Sequence, residues 1–132
     1  MSTSNELFTL QQELNKKAEE VGKLFGFTLD YSNSSIQDVE KILEKIHEEY
    51  IATKNFDGLR GVALEFASYI ITTIEKNFTS GEWKRNGPEF GEETFPYYFN
   101  NQVIFPLNWC LKRISDGSSE NVWDKYSALV LK

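Results

Sequence analysis

The stretch Thr94-Phe95-Pro96-Tyr97-Tyr98-Phe99-Asn100-Asn101-Gln102-Val103-Ile104-Phe105-Pro106 decides the fold. Two aromatic and β-branched runs flank Asn100-Asn101, and Asn tolerates the positive φ of a two-residue hairpin turn. Thr94–Phe99 and Gln102–Phe105 therefore read as paired antiparallel strands. Alternation sends Phe95, Tyr97 and Phe99 to one face and Tyr98 to the other. Pro96 cannot donate to a ladder, so its strand is expected at an edge or with Pro96 on its outward side. Glu82–Asn86, closed by Gly87-Pro88, supplies a further strand around Trp83.

Upstream the period changes to that of helices. Thr3 and Glu6 have capping-box spacing, and Leu7, Leu10, Leu14, Ala18, Val21 and Leu24 follow at helical spacing to a left-handed stop at Gly26. Ser34 or Ser35 caps a second helix with Ile36, Val39, Ile42, Leu43, Ile46 and Tyr50 on one face. Glu40, Glu44 and Glu48 form an acidic row on the other, beside Lys41 and Lys45. Asp57 caps a third helix over Leu59–Phe78, which is apolar on most sides and keeps only Glu65, Ser68, Thr72 and Glu75 as a polar strip, whose spacing suits one solvent-facing stripe. Downstream of the hairpin, Pro106 takes the first position of a helix that stops at Asp116-Gly117. Ser118 or Ser119 caps a last short helix carrying Val122, Trp123, Tyr126 and Val130. The order predicts one α+β domain over residues 1–132: three N-terminal helices packed on a small antiparallel sheet, then two short C-terminal helices.

Composition narrows the function. Hydrophobic residues make up 40% and charged residues 26% of the 132, as in ordinary globular domains. A single Cys and a single His exclude an internal disulfide and a multi-ligand zinc site, and point to the reducing cytoplasm. Neither a basic stretch nor an apolar run follows Met1, so no signal peptide is expected. The uncharged segment Thr94–Leu111 carries Pro96, Pro106, Asn100, Asn101, Gln102 and Asn108, which hydrocarbon does not accommodate, so no membrane span is expected. A net charge of −6 disfavours nucleic acid and anionic lipid, and leaves a basic protein partner electrostatically compatible. No cofactor is implied, since the glycines are scattered rather than gathered in a phosphate loop.

Chemistry-bearing residues are few. Cys110, one turn beyond Pro106, reads as a buried thiol and His47 as a solvated histidine among Glu44, Glu48 and Glu49. The loop acids Glu89, Glu92 and Glu93, like Asp116-Gly117-Ser118-Ser119-Glu120, lack the ligand pattern of a calcium loop. Glu65 is the carboxylate expected to be enclosed. With Tyr69 it could line a small-molecule pocket between the third helix and the sheet, and with Glu75 or a loop acid it could form a carboxylate dyad. Aromatic residues crowd positions 83–109, where a sheet core and a binding face draw on the same residues. Trp83 and Tyr98 are those expected to escape the core. The first expectation is thus a protein-interaction module of immunity or adaptor type, using Trp83, Tyr97 and Tyr98 with the acidic face of Glu40, Glu44 and Glu48. The alternative is a small-molecule site or minor enzyme around Glu65 and Tyr69.

Three motifs carry a resemblance: Leu29-Asp30-Tyr31-Ser32, Gly61 through Tyr69 leading to Gly81-Glu82-Trp83, and Phe105-Pro106 leading to Lys112-Arg113 and Gly117. Over roughly residues 28–118 the chain resembles a family of small bacterial domains with no assigned activity. That likeness implies a compact bacterial domain and no particular chemistry. Ile70-Ile71-Thr72 stands where the family pattern has a Gly-Glu pair, so no role of that acid transfers.

Overall fold

The structure is a computed structural model and describes residues 4–87 and 89–132. Three helices come first: α1 (Asn5–Leu24), α2 (Ser35–Thr53) and α3 (Leu59–Asn77). A three-stranded sheet follows, made of β1 (Glu82–Trp83), β2 (Tyr97–Phe99) and β3 (Gln102–Ile104), and then α4 (Pro106–Asp116) and α5 (Val122–Leu129). The chain is α+β, as its order of periodicities predicts. Among the described residues no helix is long and apolar enough to cross a membrane.

Local chemistry sets the helix ends, in places by residues other than those expected. Thr3 lies outside the described residues; Ser4 caps α1, its Oγ accepting from the Leu7 N–H at 3.3 Å. At α2, Ser34 holds the N-cap position, one of the two expected, but the accepting hydroxyl is that of Ser32, which takes the Ser35 N–H at 3.2 Å. Gly58, with φ 77°, replaces Asp57 as the residue before α3. Asn121 caps α5 through the Asp124 N–H at 2.9 Å, after a 3-10 turn at Ser118–Glu120. Pro106 opens α4 and Gly117 closes it, as expected.

The sheet is smaller than its sequence signal and its order is β1-β2-β3, all antiparallel. β2 is therefore central, so of the two expectations for the Pro96 strand the edge position does not hold. Pro96 causes no gap because it precedes the strand, and its carbonyl accepts the Lys84 N–H at 3.1 Å. Asn100 and Asn101 turn the hairpin with φ of 47° and 59°. Register aligns Trp83, Tyr97 and Ile104 across the buried face, and Glu82, Tyr98 and Val103 across the other.

One core joins all layers. α3 and α4 pack on each other at the centre, α1 covers α3, and α2 and α5 cover α4. Phe66, Ile70 and Ile74 of α3, Ile42 and Leu43 of α2 and Cys110 and Ile114 of α4 meet there with Trp83 and Tyr97 from the sheet. Phe78, expected to end the α3 stripe, instead follows the helix and is half exposed.

Candidate functional site

The residues singled out by sequence separate into different places. Glu40 is buried and accepts from Arg113 Nε at 2.8 and 3.0 Å and from the Val122 N–H at 2.9 Å. It ties α2 to α4 and α5 and does not belong to an exposed acidic row. Glu44 stays exposed, 3.7 Å from Arg113 Nη2, and Glu48 is exposed. Trp83 is buried, its Nε1–H donating to the Phe95 carbonyl at 3.3 Å, so it does not escape the core. Tyr97 is fully buried as well. Tyr98 alone of the three aromatics remains half exposed, with Lys84 Nζ 5.3 Å over its ring.

Glu65 and Tyr69 do not meet in a pocket facing the sheet. Glu65 is half buried and faces Lys17 and Glu20 of α1. Burial pushes its carboxyl above the usual range and Glu20 adds to this, while Lys17 opposes it. Tyr69 is fully buried; its hydroxyl accepts the Tyr31 N–H at 2.8 Å and pairs with Ser35 Oγ at 2.7 Å. Its ring stacks on Tyr31 at 4.5 Å, which fixes the connector between α1 and α2. Cys110 is buried in α4, and burial pushes its thiol up. His47 is not merely solvated: Nδ1 lies 2.6 Å from the Ile114 carbonyl, which can only accept, so Nδ1 carries the proton. Among the described residues no three His, Cys, Asp or Glu side chains converge as metal ligands.

The polar strip of α3 has a different fate from the expected solvent-facing one. α1 runs antiparallel along it and covers it with amides spaced one turn apart, Gln11 and Asn15. Ser68 Oγ reaches Asn15 Oδ1 at 2.8 Å. Asn15 Nδ2 donates to Thr72 Oγ1 at 2.8 Å, and Gln11 Nε2 donates to Thr72 Oγ1 at 2.7 Å and to Glu75 Oε1 at 3.2 Å. Glu75 Oε2 accepts from the Tyr97 hydroxyl at 3.2 Å, and that hydroxyl accepts the Gly81 N–H at 2.9 Å. A hydrogen-bonded chain thus runs from mid-α3 through α1 to the sheet.

Beside this chain a cleft of about 540 Å³ opens between α1, Tyr31 and the end of α3. Gln11, Asn15, Thr72 and Glu75 line it, with Phe8, Gln12, Lys16, Glu19, Tyr31 and Lys76 around them. Tyr31 donates to Glu19 Oε2 at 2.7 Å and carries Lys76 Nζ 5.1 Å over its ring. Burial, then the bond to Glu19, pushes the Tyr31 phenol up, so it stays a neutral donor. Gln11 is buried and its Oε1 has no hydrogen-bond partner among the described residues. A second recess of about 410 Å³ beside Arg60, Phe105, Leu107 and Leu111 is more apolar and gathers fewer polar groups.

Sequence reasoning had Glu75 only as a possible partner of Glu65, and missed Gln11, Asn15 and Tyr31. The available signal was Gln11 and Asn15 at i, i+4, interrupting the leucines of α1 opposite Ser68 and Thr72 on α3. Compared with protein-family models, curated proteins and solved structures, the chain matches none.

Proposed function

We propose that this domain is a binding module whose ligand, a small polar molecule, seats in the cleft between α1 and α3. One observation carries the reading: polar side chains of both helices converge, held by one another, along the wall of an open cleft. Helix–helix seams are ordinarily apolar, and a buried polar network gives a site with fixed donors and acceptors at the expense of hydrophobic burial. The cleft volume is within the range of small-molecule sites, about 300–1,000 Å³. Amide chemical-shift mapping against a panel of small polar compounds tests it. Perturbations are expected to gather on residues 11–19 and 72–76. A panel that leaves those amides unmoved while shifting others removes the reading.

A second reading, a protein-interaction module, is favoured by Tyr98. It stands half exposed between Glu82 and Val103 on the outer face of the sheet, over a hollow of about 480 Å³. With the exposed Glu44 and Glu48 it would serve a basic protein, in keeping with the net charge of −6. Charge reversal of Glu44 and Glu48 with Tyr98→Ala would abolish capture of such a partner and leave the cleft shifts intact. For either reading, the lone thiol of Cys110 suits the reducing cytoplasm.

A further inference from the structure

We infer that the ligand of the α1–α3 cleft is a small anion, a carboxylate or phosphate ester carried on an apolar or aromatic body; this rests on the binding reading above. The charges around the cleft are Lys16, Lys76, Glu19 and Glu75, and they are not equally committed. Both carboxylates already accept hydrogen bonds: Glu19 from Tyr31, and Glu75 from Gln11 and Tyr97. Neither lysine has a carboxylate within ion-pair distance among the described residues. Lys76 rests over the Tyr31 ring, a contact that engages the charge and leaves its N–H donors unused.

The unmatched charge of the cleft is therefore cationic, on a molecule whose net charge is −6. Two ammonium groups facing one space repel each other, and an anion between them removes that repulsion and takes up their donors. Lysine offers a point charge on a flexible stem, which suits a compact carboxylate or phosphate. Gln12, whose side-chain amide makes no hydrogen bond to the described residues, can add a neutral donor. The rim supplies the remaining requirement: Phe8 is 50% exposed, and with the ring of Tyr31 it offers apolar surface to the body of such a ligand.

Four probes of one shape and different charge test this: benzoate, phenyl phosphate, benzylamine and benzyl alcohol, each titrated into labelled protein and followed by amide shifts. Benzoate and phenyl phosphate are expected to perturb residues 11–19 and 72–76. Their binding should weaken as salt rises from about 0.01 to about 0.15 M, where the screening length falls from about 30 to about 8 Å. The double variant Lys16→Gln, Lys76→Gln should bind both about tenfold more weakly. Both lysines are exposed, so an unchanged circular dichroism spectrum and thermal midpoint confirm that the variant is folded. Benzylamine or benzyl alcohol perturbing the cleft as strongly as benzoate overturns the anion class and leaves the cleft as a binding site. Full-strength binding of benzoate to the double variant overturns it too. Acetate and inorganic phosphate matching the aromatic probes overturn the apolar body. If no probe of any charge moves the cleft amides, the binding reading itself falls.

Discussion

Glu40 shares a helical row with Glu44 and Glu48, yet its surroundings give it a different role. Its carboxylate is the counter-charge of Arg113, whose side chain is only 1% exposed. A charge so far from water is tolerable only while it is paired. Glu40→Gln is expected to destabilise the domain by about 3–5 kcal/mol, as removal of one partner of a buried pair does, with urea unfolding as the measurement. Glu44→Gln and Glu48→Gln, at exposed positions, should each fall within about 0.5 kcal/mol of the wild type. Equal effects at all three sites would show that Glu40 is not the buried counter-charge. From sequence the three were indistinguishable, because helical spacing says which residues share a face and not what packs on it. Arg113 lies 73 positions from Glu40, and nothing local announces their pairing.

At the scale of elements, Gly81 shows how tightly β1 is joined to the hairpin. A Cβ there would collide with the Tyr98 carbonyl and approach the Tyr97 ring at 2.7 Å. The backbone of β2 cannot yield without breaking the ladder. Gly81→Ala should therefore displace β1, lose the bond from the Gly81 N–H to Tyr97 and lower stability by about 1–3 kcal/mol. Loss of the Trp83 near-ultraviolet signal is the check, and an unchanged signal at wild-type stability would contradict it. Elements were otherwise legible where a period was long. The leucines of α1, the aliphatic face of α2 and Pro106 with Gly117 around α4 specify helices without outside help. Strands were legible in kind and not in extent, since runs of four to six residues contribute only two or three to the ladder. The α3 strip was the larger misreading. Ser68 and Thr72 suit a solvent face, and only the amides of α1, more than 50 positions away, turn them inward. The cleft was illegible for the same reason: it belongs to two helices that meet only in three dimensions.

Across the whole molecule, tyrosines join the layers. Tyr69 holds the connector to α2, Tyr97 joins the sheet to α3, and Tyr126 donates to Asn33 Oδ1 at 2.5 Å, linking α5 to the α2 entry. Burial, as the largest cause in each case, pushes these three phenols and that of Tyr31 above the ordinary value of 10.0. The folded state therefore holds these protons more tightly than the unfolded chain. Their contribution is fully present below pH 10, and above it the unfolded chain binds fewer protons, so stability falls as pH rises. Denaturant midpoints are expected to drop from about pH 10 upward, with phenolate absorbance of these residues appearing together with loss of helical signal. Their ionisation in a chain that stays helical would overturn this.

The polar seam beneath α1 has a consequence for how the native protein breathes. When two apolar surfaces part, water returns nothing; when Gln11, Asn15, Thr72 and Glu75 part, water replaces every bond they lose. Leu7, Leu14 and Ala18 still hold α1 down, but part of its attachment can be rehydrated at small free-energy difference. α1 should thus lift away as a unit well below global unfolding, its amides exchanging with solvent deuterium sooner than those of α3. A ligand in the cleft would slow that exchange along α1 from the open side.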